Sequence, residues 1–440
     1  GGSANAVATN DATASGRIGG WADLKATTGD ITLDVLFLGV VEGQAASFAG
    51  ASLAAVSLTT ADANFSPDVS LTVGGEADVA AQSVGGSIDL TANLNYNGVF
   101  LTPYDLTPEN PFDPLVPYGA IASAKNTAIA GLAAVTDAEV HADAFADLNV
   151  DVGVNASLTT GGGDVNISGR NSNTSLGSIN STGGGLVSVS VGNALPTAAG
   201  STTVSFFGDV KTGVTPTTNN FNVLAEAYST ADASLSSFQG GAVTVADADA
   251  ISTSTPVMTL NFASDLSDID VKGSINVTAT QLTDTDAKTA GESFGAVTVS
   301  DLTTKATAVA TVNLNVGAAN TVKAGGDINI KAAHGSAASQ ASDGTVISSV
   351  GTNPSLGDQI AGATNYIDFG AAHLLNDGAS IVFSGSGGGL TNERQYTVIK
   401  RDANTVHLGA SFDGTSINIL NDTINFAYDH NFVTGDLVYY

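Results

Sequence analysis

The chain has 440 residues, of which 43% are hydrophobic and only 12% charged, with 42 acidic against 13 basic side chains and a formal charge of −29. This apolar content argues against a disordered chain, the acidic surface repels nucleic acid and anionic membranes, and the absence of cysteine excludes disulfides, thiolate metal sites and a cysteine nucleophile. Ala and Val supply most of the apolar residues, aromatics are 6% and Gly numbers 51, a composition suited to thin regular layers rather than one large core.

In chain order, the first recognisable element is TGDITLD from Thr28, an alternating strand entered through a glycine and a polar residue. The run Val35 to Val41 follows; it is far shorter than the roughly 20 residues a membrane helix needs, and reads as a buried strand. Near-copies of the first strand return as GGSIDLTA from Gly85, GGGDVNISG from Gly161, KGSINVTA from Lys272 and AGGDINIKA from Ala324, with a weaker copy at Asn220 to Val223. Their first apolar positions, Ile31, Ile88, Val165, Phe221, Ile275 and Ile328, differ successively by 57, 77, 56, 54 and 53 residues.

A second motif keeps the same beat. SLAAV, GLAAV, GLVSV, GAVTV and GAVTV end at Val56, Val135, Val189, Val245 and Val299, with steps of 79, 54, 56 and 54. Both series lengthen at one place, where residues 101–120 hold five of the ten prolines. Proline cannot donate to a β ladder, so an excursion is expected over 97–121, carrying Tyr104, Phe112 and Tyr118 as candidate partner contacts. A third strand recurs as Leu148-Asn149-Val150, Leu260-Asn261-Phe262 and Leu314-Asn315-Val316. Repeats of about 55 residues with three strands each, all turning on Gly, Asn, Asp, Ser and Thr, imply stacked layers that share a core no single repeat could bury. In the IxI and VxV strands the apolar side chains are expected inside and the middle residue outside. Ala-rich 120–147 leaves a local helix open as the competing reading.

From about residue 362 the pattern changes. At an offset of 57, Ile367 matches Ile424, His373 matches His430 and Phe383 matches Tyr440, and QYTVIKRDANTVHLGA reads as a hairpin turning at Arg401 to Asn404. The expected division is therefore 1–350, an all-β parallel β-solenoid, and 351–440, a smaller β-rich repeat module whose second copy is cut short. The sequence reads as a piece of something longer.

The GGDINIKA- and GGGDVNISG-type strands, within an Ala/Gly/Asn/Thr-rich texture spanning most of residues 20–335, resemble the filamentous-haemagglutinin-like exoproteins of bacteria. The HNFVTGDLVYY segment is similar to repeats of giant bacterial surface proteins. That resemblance implies a right-handed β-helix in a large secreted adhesin, at the cell surface or outside it. The secretion domain such exoproteins carry at the amino end is not in this sequence.

Chemistry is sparse. The five histidines form no HExxH and no close pair, which argues against zinc. Calcium is the one metal to weigh: Asp247 and Asp249 face one side of a strand, and Asp265, Asp268 and Asp270 cluster in SDLSDID, although no GGxGxDxUx tandem accompanies them. A polysaccharide-cleaving β-helix would need paired carboxylates or a basic residue in an aromatic cleft, and Gly-rich stretches without GKS or GKT exclude a phosphate loop. The expected function is structural and adhesive rather than enzymatic. Its partners are covalent continuation in a longer chain or head-to-tail self-association, and surface glycans or neighbouring cells; insertion into a membrane is not expected. A solvated ladder of outward Asn166, Asn222, Asn276 and Asn329 is expected on successive repeats.

Overall fold

A computed structural model describes residues 1–98, 100, 118–211, 217–294, 296–319, 321–336 and 341–343, and six further strands between 367 and 424. The described residues form strands and no helix. The chain divides into two compact units between Ser342 and Asp343.

In the first unit the pairings among the strands from Gly2–Asn10 to Ile328–Ser336 are parallel, and the chain visits three sheets in one order, six times. A front sheet holds Gly2–Asn10 with Thr13–Ile18, Ala54–Phe65 with Asp68–Val73, Ala133–Ala144 with Asp147–Val152, Val187–Phe206, Val243–Phe262, and Val297–Ala308 with Thr311–Val316. A short sheet stacks Asp23–Ala26, Asp78–Val84 and Ser157–Gly161, continues through bridges at Asp209 and Val210, and ends in Asp268–Val271 and Thr321–Ala324. A rear sheet stacks Ile31–Phe37 with Val40–Ala51, Ile88–Leu94 with Gly119–Ala130, Val165–Gly184, Phe221–Gly240, Ile275–Phe294 and Ile328–Ser336.

The register is the one the motif spacing predicts. Ile31, Ile88, Val165, Phe221, Ile275 and Ile328 lie directly over one another through six rear strands. Val56, Val135, Val189, Val245 and Val299 do the same through five front strands. The third motif is in phase only in part. Leu260 stacks on Leu314, but Val150 rather than Leu148 shares their column through Val204. A slip of two residues preserves the face, so the core tolerates it.

Each circuit has two parts. Next to the short sheet, three faces enclose a core of large apolar side chains, among them Leu71, Leu90, Leu148, Ile167 and Leu260, all sealed from solvent. Phe206 and Phe221 meet there edge to face at 4.7 Å, with Phe262 at 6.0 Å from Phe221. Further out, the front and rear sheets face each other alone as a two-layered wing, whose interior is largely Ala, Gly, Ser and Thr, with Val140, Ile179 and Leu235 among them. The wing is thin: a Cβ on Gly43 of the rear sheet would stand 2.5 Å from the Asp62 carbonyl oxygen of the front sheet.

One alternative and one expectation fail in the wing. The Ala-rich stretch at 120–147, where a helix is the competing reading, forms strands Gly119–Ala130 and Ala133–Ala144, because pairing on both sides outweighs the helix propensity of alanine. The VxV motif also faces the other way: Val187, Val189, Val243 and Val245 point outward, and buried Ser188 and Thr244 point in. At the wing tip the inward positions are taken by hydroxyls, while larger side chains such as Ile179 and Leu235 stack further in, where glycines such as Gly192 face them. The tip is zipped accordingly, as when Ser181 Oγ donates to Thr136 Oγ1 at 2.9 Å, and Asn126 Nδ2 donates to the carbonyls of Ser57 and Asp137 at 2.9 and 2.7 Å.

The second unit is antiparallel. Ile367–Asp368, Thr405–Ala410, Arg394–Lys400 and Ser380–Phe383 lie side by side, and Arg394–Lys400 pairs with Thr405–Ala410 as the hairpin reading requires. Ile417–Asn418 and Thr423–Ile424 form a separate pair. The turn at 401–404 and most of the matched positions at the 57-residue offset lie outside the described residues.

Candidate functional site

The polar residue just before each rear strand explains why the motif is rewritten. Ser87 N–H donates to Asp30 Oδ1 at 2.8 Å, Asp164 N–H to Ser87 Oγ at 3.1 Å, and Asn220 N–H to Asp164 Oδ1 at 2.9 Å. Ser274 N–H then donates to Asn220 Oδ1 at 2.9 Å, and Asp327 N–H to Ser274 Oγ at 3.1 Å. The side chain of each layer thus receives the backbone of the next, an unbroken staircase through all six circuits. Only a short side chain with an oxygen can do this, hence Asp, Ser or Asn at this position in every copy. Gly29 and Gly85 in the same corner take φ of +90° and +80°, which glycine adopts without the Cβ clash.

One pleat further on, the asparagines do form a ladder. Asn329 Nδ2 donates to Asn276 at 2.9 Å, Asn276 to Asn222 at 2.8 Å and Asn222 to Asn166 at 2.7 Å, and Asn166 ends the run on the Asp89 carboxylate at 2.7 Å. On the front sheet, Asn315 donates to Asn261 and Asn261 to Ser205. These amides are occupied with one another along the stack.

The most individual surface lies on the outer side of the rear sheet. Tyr96 and Phe100 follow the end of strand Ile88–Leu94, where Asn95 holds the chain by donating its N–H to the Phe37 carbonyl and accepting from Gly39 N–H at 2.9 Å. Tyr96 meets Phe100 edge-on at 5.1 Å, and Phe100 stacks on Tyr228 at 6.1 Å. The Arg170 guanidinium lies 4.9 Å from the centre of the Tyr96 ring while bonding Glu226 at 3.3 Å and Ser168 at 3.2 Å. Tyr228 donates to Asp284 at 3.3 Å, and burial pushes its phenol pKa upward. Beside these rings, the outward side chains of Ile121, Ser123, Thr174, Leu176, Ser178 and Thr230 are buried, and the four hydroxyls have no hydrogen-bond partner among the described residues. Planar rings with an arginine and carboxylates suit the face and hydroxyls of a sugar ring.

Of the residues expected at a contact surface, Tyr118 occupies the bend before strand Gly119–Ala130, inside the expected excursion; Tyr104 and Phe112 lie outside the described residues. The rings that do meet, Tyr96, Phe100 and Tyr228, were not singled out. The rarity of arginine was the one available pointer, through Arg170.

The acidic candidates separate. Asp247 and Asp249 face outward on one strand with Asp301 on the next layer, and burial followed by these two like charges raises the Asp247 pKa. Asp268 pairs with Lys211 at 3.3 Å and Asp270 with Lys323 at 3.4 Å, while Asp265 occupies the turn before them. Among the described residues, no group of three or more His, Asp or Glu is placed to hold a metal ion. No helix among them is long and apolar enough to cross a membrane. Asp143, Asp151 and Asp209 have raised pKa values, in each case chiefly through burial.

No protein-family description, curated protein or solved structure matches this chain.

Proposed function

We propose that the first unit is a parallel β-solenoid serving as a structural and adhesive segment of a large secreted bacterial surface fibre or extracellular filament, without catalysis. The observation that carries this reading is the staircase from Asp30 to Asp327, in which each circuit is bonded to the next by the same side chain. Backbone ladders, the staircase and the asparagine ladder all run along one direction, so a load applied that way is shared by many hydrogen bonds. Each layer adds about 4.8 Å in that direction. The resemblance of the GGDINIKA-type strands to haemagglutinin-like exoproteins supports the same assignment.

The test has two arms. Antibody against the chain should label intact producing cells, and cells lacking the chain should attach less well to their surfaces. Labelling only after lysis, or unchanged attachment, would overturn the reading. A second reading, glycan binding at Tyr96, Phe100, Arg170 and Tyr228, is favoured by the ring cluster itself. It predicts glycan-array signals that Tyr228→Ala removes; an array blank with the intact chain dismisses it.

A further inference from the structure

The core columns of the rear sheet are sealed through the inner circuits and open at their last step. Ile88, Val165, Phe221 and Ile275 are buried, as are Leu90, Ile167, Val223 and Val277 beside them. Ile328 and Ile330 continue the same two columns, yet each is 46% exposed, and Val316, in column with buried Phe262, is 51% exposed. At the other end these columns begin with Ile31, Leu33 and Ile18. The two ends also differ in charge. Residues 1–51 carry five acidic and two basic side chains, a net −3, whereas residues 297–336 carry two acidic and three basic ones, a net +1 and the only positive circuit of the six. Lys331 stands in the column that starts at Asp34, and both are exposed.

We propose that the edge of the last circuit receives the first circuit of a second copy, so that the stack continues from chain to chain. This rests on the fibre reading and names the joint of such a fibre. Continued in register, the stack sets Ile31 over Ile328, Leu33 over Ile330 and Ile18 over Val316, which covers the exposed side chains as the inner circuits are covered. Asp34 then meets Lys331 across one strand spacing of about 4.8 Å. The staircase also runs on: its first acceptor is Asp30 and its last residue Asp327, so the Asp30 N–H of the second copy donates to the Asp327 carboxylate. The edge strands exchange the backbone bonds that edges leave open. The strands of the last circuit have 12, 6, 4 and 9 residues; at about 3.3 Å each and about 10 Å of sheet thickness they offer on the order of 1,000 Å². The two copies together bury roughly 2,000 Å², the upper end of the standard protein–protein interface. Unlike edges meet, so the contact is head to tail, does not close on itself and extends into a filament.

Sedimentation velocity and negative-stain electron microscopy of the full chain over a concentration series test it. At ~0.15 M salt the Debye length is about 8 Å, which screens the −29 charges of whole chains from each other but not the Asp34–Lys331 pair at the joint. The expected species are successive multiples of the chain that lengthen with concentration. Ile330→Lys, which sets a charge against Leu33 at a half-exposed position, should leave the chain monomeric. Lys331→Asp alone should weaken each joint about 10-fold, and Lys331→Asp with Asp34→Lys should restore it, because the pair is only exchanged. Both positions are exposed, and circular dichroism checks that every variant folds. A monomer at every concentration, a dimer that grows no further, or association that Ile330→Lys leaves intact overturns the proposal. So does an exchange that restores nothing. A chain that stays monomeric yet is labelled on intact cells and needed for their attachment overturns the joint alone and leaves the adhesive reading standing.

Discussion

The three-sided core and the wing are built by the same strands in the same register, yet they are stabilised in opposite ways. Near the short sheet the interior is filled by leucine, isoleucine, valine and phenylalanine, and every atom removed leaves a hole. In the wing, alanine and glycine bring two sheets close together, serine and threonine bond across the gap, and an atom added at a position such as Gly43 collides. A period-two pattern fixes which residues share a face; the distance to the opposite sheet decides which chemistry that face can carry.

The largest effect that separates the two regions is expected from Phe221→Ala, which removes a sealed ring from the Phe206–Phe262 cluster and should cost about 3–5 kcal/mol in denaturant unfolding. The converse change is Gly43→Ala: one added methyl group meets the Asp62 backbone oxygen and should cost about 1–3 kcal/mol. If the wing absorbs it at no cost, the contrast is lost. Asn222→Ala breaks the outer ladder where that side chain both donates and accepts, with an expected loss of about 0.5–1.5 kcal/mol, the same whether measured by heat or by denaturant.

The smallest effect is a slope with pH. Burial raises the carboxyl pKa values of Asp143, Asp151 and Asp209 in the folded chain above their ordinary 3.8. The folded state therefore holds protons more tightly than the unfolded state, and the stability these groups contribute is full below that value and lost as pH rises through their folded values. Thermal midpoints should rise as pH is lowered from neutral towards about 4. A fall across that window would contradict the assignment.

Much of the layering was legible in the sequence, because a glycine, a polar residue and an alternating strand are local signals. The columns of Ile31 and Val56 followed from spacing alone. What that spacing could not reveal was the direction a column faces: valines at period two share a side, and nothing local says that Ser188 and Thr244 take the interior instead. The role of the polar residue in the motif was equally hidden, since Asp30 meets Ser87 only when two circuits are stacked. The Tyr96, Phe100, Arg170 and Tyr228 cluster joins four residues from three circuits, a proximity no sequence window contains. The helix alternative over 120–147 failed because alanine's local preference is smaller than the gain from pairing with strands above and below.

The staircase also has a sense of travel. At every step an oxygen of the earlier circuit takes the amide of the later one, never the reverse, so a completed circuit presents a ready acceptor to whatever chain comes next. Each step binds only the two circuits it joins, so a change at Asp164 would loosen the one seam where Asn220 N–H is received and leave the others closed.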